Sequence, residues 1–147
     1  MKKILSSILI LMLLFAVGGC SFSINKDFNI NDYSDTINKS DRIDVLKSNK
    51  RIDLISGHSN IEDFVDAIKI NEWKIKDLPE SEVTDLEFIL FKKEAQKSTD
   101  DKKDNEFIQV ASIVTYKDSN YVTLKLSNIS FDFKVPNDVK DYFNTFI

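Results

Sequence analysis

Few side chains in this 147-residue chain could do covalent or acid–base chemistry. The chain has one cysteine, Cys20, and one histidine, His58, which lies close to Ser56 and Ser59. A serine near a histidine suggests nucleophilic catalysis, but proximity in sequence is not the geometry of a triad, and no oxyanion-hole motif accompanies these residues. One histidine and one thiol are also too few for a zinc site that needs two or more of them. The sequence therefore predicts no catalytic residue, no cofactor and no metal site, and a turn position for His58.

The glycines and the acidic residues narrow the chemistry further. Apart from Gly18 and Gly19, the only glycine is Gly57, so the chain lacks P-loop, dinucleotide-binding and nucleophile-elbow motifs. The acidic cluster within residues 97–104 lacks the glycine and the spaced glutamate of a calcium-binding EF-hand loop. A pair of carboxylates could still hydrolyse a glycoside, but nothing in the sequence singles out such a pair.

The first twenty residues have the pattern of a sorting signal. Two lysines precede an apolar run over residues 4–17, which ends in Val17-Gly18-Gly19-Cys20. This ending resembles the lipobox of bacterial lipoproteins, in which an apolar residue and two small residues precede a cysteine. The resemblance implies that the Cys20 thiol carries a diacylglycerol and that the bond between Gly19 and Cys20 is cleaved. Cys20, with or without an added N-acyl chain, would then be the first residue of the mature lipoprotein.

The alternative for this leader is a transmembrane anchor. Residues 4–17 would form a helix of about 21 Å, at about 1.5 Å for each residue, which is short of the ~30 Å hydrocarbon core. A short apolar run that ends in small residues is typical of a cleaved signal peptide. We therefore expect the protein on the extracytoplasmic face of the cell membrane, held in the lipid bilayer through acyl chains on Cys20.

The charge balance bears on the choice of partner. Without residues 1–19, the 20 basic residues lose Lys2 and Lys3, which leaves 18 against 24 acidic residues and a net charge of −6. This balance argues against a nucleic-acid partner, because nucleic acid needs clustered positive charge. Only two basic residues, Arg42 and Arg51, are arginines. The chain therefore has few guanidinium groups that could bind a phosphate through paired N–H donors.

Three segments follow from composition. Residues 1–19 are the predicted signal peptide, residues 20–40 a lipidated N-terminus and flexible tether, and residues 41–147 one folded domain. The tether is rich in Asn, Asp and Ser, whose side chains favour local bonds to the backbone over regular structure. Alternatively, its aromatic residues, Tyr33 among them, pack onto the domain or bind a partner.

The first half of the domain contains a hairpin and a helix. Alternating apolar and charged residues predict strands over 42–46 and 51–55. Arg-Ile-Asp occurs in both, which indicates two similar strands and not a repeat. Ser59 and Glu62 match a capping box, and an apolar stripe predicts a helix from there to about Ile70. Its exposed acidic residues are more typical of a solvated helix face than of a metal or partner site.

The second half is mainly β-structure. A nearly continuous apolar run over 86–91 predicts a central strand that is covered on both faces, and a second helix is expected after Pro136. Further strands are predicted over residues 107–116, 121–126 and 129–135. The fold class is therefore α+β, an antiparallel β-sheet of about five to six strands with two helices packed on one face.

Trp73, the only tryptophan, has two interpretations. It either closes the end of the first helix against the sheet or stands exposed as a contact for a partner.

Three functions remain open for the whole chain. The first is a non-enzymatic binding protein that sequesters a peptide or protein, as the small lipoproteins that give bacteriocin producers immunity do. The second is an accessory subunit of a membrane or cell-wall complex, which would dock by an exposed sheet edge or by the tether. The third is a hydrolase of envelope material. The mature chain has the fewest suitable residues for this function, so we expect that it is not an enzyme.

Overall fold

Seven antiparallel strands form one sheet in the part of the chain that the computed structural model describes, residues 30–94 and 106–147. The strands are β1 (Arg42–Lys47), β2 (Lys50–Ser56), β3 (Lys74–Ile75), β4 (Thr84–Lys93), β5 (Phe107–Tyr116), β6 (Tyr121–Leu126) and β7 (Ile129–Lys134). The helices are α1 (Asn31–Asn38), α2 (His58–Ile68) and α3 (Asn137–Asn144), with a 3₁₀ turn at Ile70–Glu72. Across the sheet the order is β2-β1-β4-β5-β6-β7-β3.

The predicted α+β class with an antiparallel sheet is confirmed, but the numbers of strands and helices were too low. The additional strand is β3, which adds to the outer side of β7 through the pairs Lys74 with Lys134 and Ile75 with Phe133. Two residues are too few to show an alternating pattern, so this strand cannot be recognised from the sequence. The additional helix is α1.

Helix α1 lies where a flexible tether was predicted, and for residues 30–40 that prediction is wrong. Ile30, Tyr33 and Ile37 pack against the core, and Ile37 is completely buried. The Tyr33 ring lies 6.3 Å from that of Phe131 on β7. This agrees with the alternative that aromatic residues of the segment pack onto the domain. These three apolar residues recur at helical spacing among residues that favour turns, and their contacts outweigh that local preference. The rest of the tether, residues 20–29, lies outside the described residues.

The hydrophobic core lies on one face of the sheet, where all three helices pack. Phe88 of β4 is at its centre and is completely buried. Its ring centroid lies 5.6 Å from that of Phe64 on α2, 5.0 Å from Phe143 on α3 and 5.2 Å from Phe146 beyond it. These contacts hold both helices against the same strand.

Strand β4 is central, as predicted, but it is not covered on both faces. It lies between β1 and β5, and residues 86, 88 and 90 are buried while residues 87, 89 and 91 are only half-buried. Within the described residues no helix covers this second face, which we call the open face. Apolar Ile89 and Phe91 made the run look continuous, although they lie among side chains of neighbouring strands rather than beneath a second layer.

The β1–β2 hairpin is confirmed, and the predicted capping box is wrong. Ser48 and Asn49 both have positive φ, as a tight hairpin turn requires. Helix α2 begins at His58, one residue before the predicted cap, with Gly57 as the capping residue at φ 88° and no side-chain cap. Instead, the Asn60 amide donates to the Ser56 carbonyl at 2.8 Å.

Candidate functional site

The residues singled out from sequence do not meet in one place. Cys20 and Gly19 lie outside the described residues, as does the acidic cluster within 97–104. Trp73 is 5% exposed, and its indole N–H donates to the Ile68 carbonyl at 2.7 Å. Its ring lies 5.6 Å from that of Phe133. Trp73 therefore closes the end of α2 against the sheet, which agrees with the packing interpretation and leaves little surface for a partner.

His58 is exposed at the start of α2 and pairs with Glu62, with 3.1 Å between Nε2 and Oε1. Glu62, Asp63 and Asp66 are all exposed, in agreement with a solvated helix face. Within residues 30–94 and 106–147, no three acidic, histidine or cysteine side chains gather in a way that could hold a metal ion.

Two clefts in the described structure are shallow and open to solvent. One of about 370 Å³ lies beside the β5–β6 turn and the start of α3, and its walls include Glu82, Lys117 and Lys140. The other, of about 280 Å³, lies beside Glu87 and Lys125. Mostly polar side chains line both, so neither resembles the apolar and enclosed site that holds a small organic ligand.

Polar side chains on the open face bind one another. Thr123 on β6 donates to the Asp132 carboxylate at 2.5 Å, and its hydroxyl lies 2.7 Å from that of Tyr116. Ser112 donates to Glu87 at 3.0 Å. Among the described residues every buried side-chain nitrogen or oxygen atom has a hydrogen-bond partner, so the polar groups of this face are satisfied by one another.

The open face changes character towards β2, where an arginine lies among aromatic and apolar side chains. Arg42 donates from Nε and Nη2 to the two oxygens of Asp44, at 2.6 and 2.7 Å. Its guanidinium carbon lies 5.5 Å from the ring centroids of both Phe91 and Phe107. We name this cluster the edge patch, and its members are Arg42, Asp44, Arg51, Leu54, Phe91 and Phe107.

Strand pairing places Leu54 and Arg51 in this patch. Leu54 of β2 is directly opposite Asp44 of β1, and opposite residues share a face of the sheet. Arg51 donates from Nη1 to Asp44 at 3.3 Å. Strand β2 is first in the sheet order, so within the described residues no strand lies beyond it. Leu54 is 46% exposed and Phe107 is 37% exposed, which leaves apolar surface on both sides of the arginines.

The electrostatics fix the protonation of the edge patch. The hydrogen bond from Arg42 has the largest effect and lowers the pKa of Asp44. Burial raises this pKa by less, and the charge of Arg42 and the contact with Arg51 lower it further. The same hydrogen bond raises the pKa of Arg42. Arg42 and Asp44 are therefore charged at neutral pH, and two guanidinium groups share one carboxylate.

The sequence held only part of the signal for this site. It shows that Arg42 and Arg51 are the only arginines and that Arg-Ile-Asp occurs in both strands of the hairpin. Their convergence on Asp44 depends on the register between β1 and β2. The contact with Phe107 depends on a second register, that of β5 on β4, which the sequence pattern does not specify.

Comparison with protein families, with curated proteins and with solved structures finds no match for this chain. No helix among the described residues combines the length and the apolar character needed to span a bilayer. The edge patch is therefore interpreted from its own chemistry.

Proposed function

We propose that this protein is a lipoprotein, held by Cys20 on the extracytoplasmic face of the cell membrane, that binds a peptide or protein through the edge patch and is not an enzyme. The observation that carries the binding role is the composition of the patch. Arginine and aromatic side chains beside exposed apolar ones are enriched at the centres of protein interfaces. The two described clefts are open to solvent, which suits a macromolecule better than a small ligand.

The carboxylates support a role without catalysis. An acid catalyst in a hydrolase needs a carboxyl group whose pKa is raised towards neutrality. Asp44 and Asp138 have lowered pKa values, because Arg42 and Lys69 respectively donate hydrogen bonds to them. Such groups stay ionised and act as ion-pair partners.

The second candidate is an accessory subunit of a membrane or cell-wall complex. The breadth of the open face, which extends across several strands of the sheet, favours it. Subunits that stay together meet over broad surfaces, while a captured peptide is more often enclosed. The two candidates differ in the partner, which is a soluble peptide or protein in the first and a membrane or wall component in the second.

The lipid anchor is tested by metabolic labelling with a fatty acid in the native host. The wild-type protein should incorporate the label and lose residues 1–19, whereas Cys20→Ala should remain unlabelled and uncleaved. Label that persists in Cys20→Ala would refute the anchor, and the location with it.

The binding role is tested by photocrosslinking in native membranes. A photoreactive amino acid at position 54 should capture a discrete partner, and the same amino acid at position 66, on the exposed face of α2, should not. A Leu54→Lys change in otherwise wild-type protein should remove co-purification of that partner. Equal capture from both positions would contradict a role for the edge patch. The identity of the captured partner separates sequestration from an accessory role.

A further inference from the structure

The edge patch holds more positive than negative charge, in a chain whose formal net charge is −4. Arg42 and Arg51 both donate to Asp44, and no other carboxylate of the described residues forms an ion pair with either arginine. Elsewhere on the open face, Lys125 pairs with Glu87 at 3.8 Å, and Asp132 accepts a hydrogen bond from Thr123. In the patch, two arginines share one aspartate, so the patch itself carries a surplus of positive charge.

Both arginines have hydrogen-bonding capacity to spare. Arg42 uses Nε and Nη2 for Asp44, and its Nη1 donates no hydrogen bond within the described residues. Arg51 makes a single bond to Asp44, from Nη1 at 3.3 Å, and its side chain is 53% exposed. A guanidinium is planar and can donate two parallel bonds to a carboxylate. The unused N–H groups are therefore suited to a second carboxylate.

The surroundings hold the first guanidinium in place. Asp44 binds Arg42 at two points, and the rings of Phe91 and Phe107 both lie 5.5 Å from it. A side chain that is already ordered loses less conformational entropy when it binds a ligand.

Building on the proposed function, we propose that the edge patch recognises a segment of the partner that presents an acidic side chain next to an apolar one. The carboxylate binds the arginine pair, and the apolar side chain packs on Leu54. Leu54 lies directly opposite Asp44, about one strand spacing of 4.8 Å away. In an extended segment, side chains two residues apart point to the same side, so an acidic and an apolar side chain at this spacing can face the patch together.

The test uses the full-length protein in detergent and two labelled peptides of about eight residues with blocked ends. One contains glutamate and leucine two residues apart, and the other has glutamine in place of the glutamate. Fluorescence anisotropy should show the glutamate peptide binding roughly tenfold more tightly, which is the difference expected for one charge-assisted hydrogen-bonded pair. Arg51→Gln should lower the affinity for the glutamate peptide to that of the glutamine peptide.

A matched control comes from the same face of the sheet. Lys125→Gln removes one positive charge from a side chain that is 51% exposed, close to the exposure of Arg51, and should leave both affinities unchanged. Equal affinities for the two peptides, an equal loss in both variants, or no binding of either peptide would each overturn the carboxylate preference. If the two peptides bind equally and Leu54→Lys abolishes both, the binding role stands and only the preference fails. Failure of the crosslinking at position 54 would instead remove the binding role itself.

Discussion

The most informative test of the fold is the removal of the Phe88 ring. Phe88 is completely buried, and three aromatic rings, those of Phe64, Phe143 and Phe146, lie within 5.6 Å of its centroid. A buried Phe→Ala change costs about 3–5 kcal/mol, and each lost aromatic pair adds roughly 0.5–1.5 kcal/mol to the loss from burial alone. We therefore expect Phe88→Ala to lower the free energy of unfolding by about 5 kcal/mol, which is near the whole stability of many small domains.

Urea unfolding followed by tryptophan fluorescence measures this loss. Trp73 is the only tryptophan and is buried in the same core, so its emission reports on folding without a label. With a denaturant slope of about 2 kcal/mol/M, the midpoint should fall by roughly 2–3 M. Phe107→Ala is the matched control at an exposed site, with an expected loss of about 1 kcal/mol or less. If Phe88→Ala is unfolded without urea, Phe88→Leu should show a smaller loss. A Phe88→Ala loss no larger than that of Phe107→Ala would refute the described core.

Three further changes test single contacts. Because the Arg42 hydrogen bond lowers the pKa of Asp44, the ionised carboxylate contributes stability that is complete above about pH 4 and is lost as the pH falls through its folded-state value. Asp44→Asn should therefore flatten the acid dependence of the urea midpoint, and an unchanged profile would contradict this. Gly57→Ala should lower the free energy of unfolding by about 1–3 kcal/mol in thermal unfolding, because the φ of 88° strains any residue with a Cβ atom, even though the space for that atom is free. An unchanged melting temperature would argue against this backbone conformation. Trp73→Phe removes the bond to the Ile68 carbonyl and should cost about 1–3 kcal/mol by the same measurement, whereas no loss would mean that the bond contributes nothing.

The sequence predicts those elements whose pattern is long enough to show a period. Strands β1 and β2 alternate clearly, and the structure places them within one or two residues of the prediction. Helix α1 was missed because its polar composition suggests turns and because its few apolar residues have meaning only against a core formed by distant strands. The capping box shows the opposite failure. Ser59 and Glu62 satisfy the motif, but the helix begins at His58 with Gly57 as its capping residue, two residues before Ser59.

The candidate site depends still more on tertiary structure. Composition alone shows that arginine is scarce, with only Arg42 and Arg51, and that acidic residues are common. They do not show that both arginines meet one carboxylate, which follows from the pairing of β1 with β2. Phe107 joins them from a strand that begins far along the chain, so its contribution is set by sheet order and not by any local motif.

The two edge strands of the sheet affect whether copies of this protein aggregate. At one end, Ile52 of β2 has no partner in the register with β1, and charged Lys50, Arg51 and Asp53 surround it. At the other end, β3 is only two residues long. Irregular, charged or very short edge strands are the means by which proteins prevent sheets from joining into aggregates. For a protein concentrated in the plane of a membrane, as proposed, this protection allows dense packing of copies while the face of the sheet stays free for a different molecule.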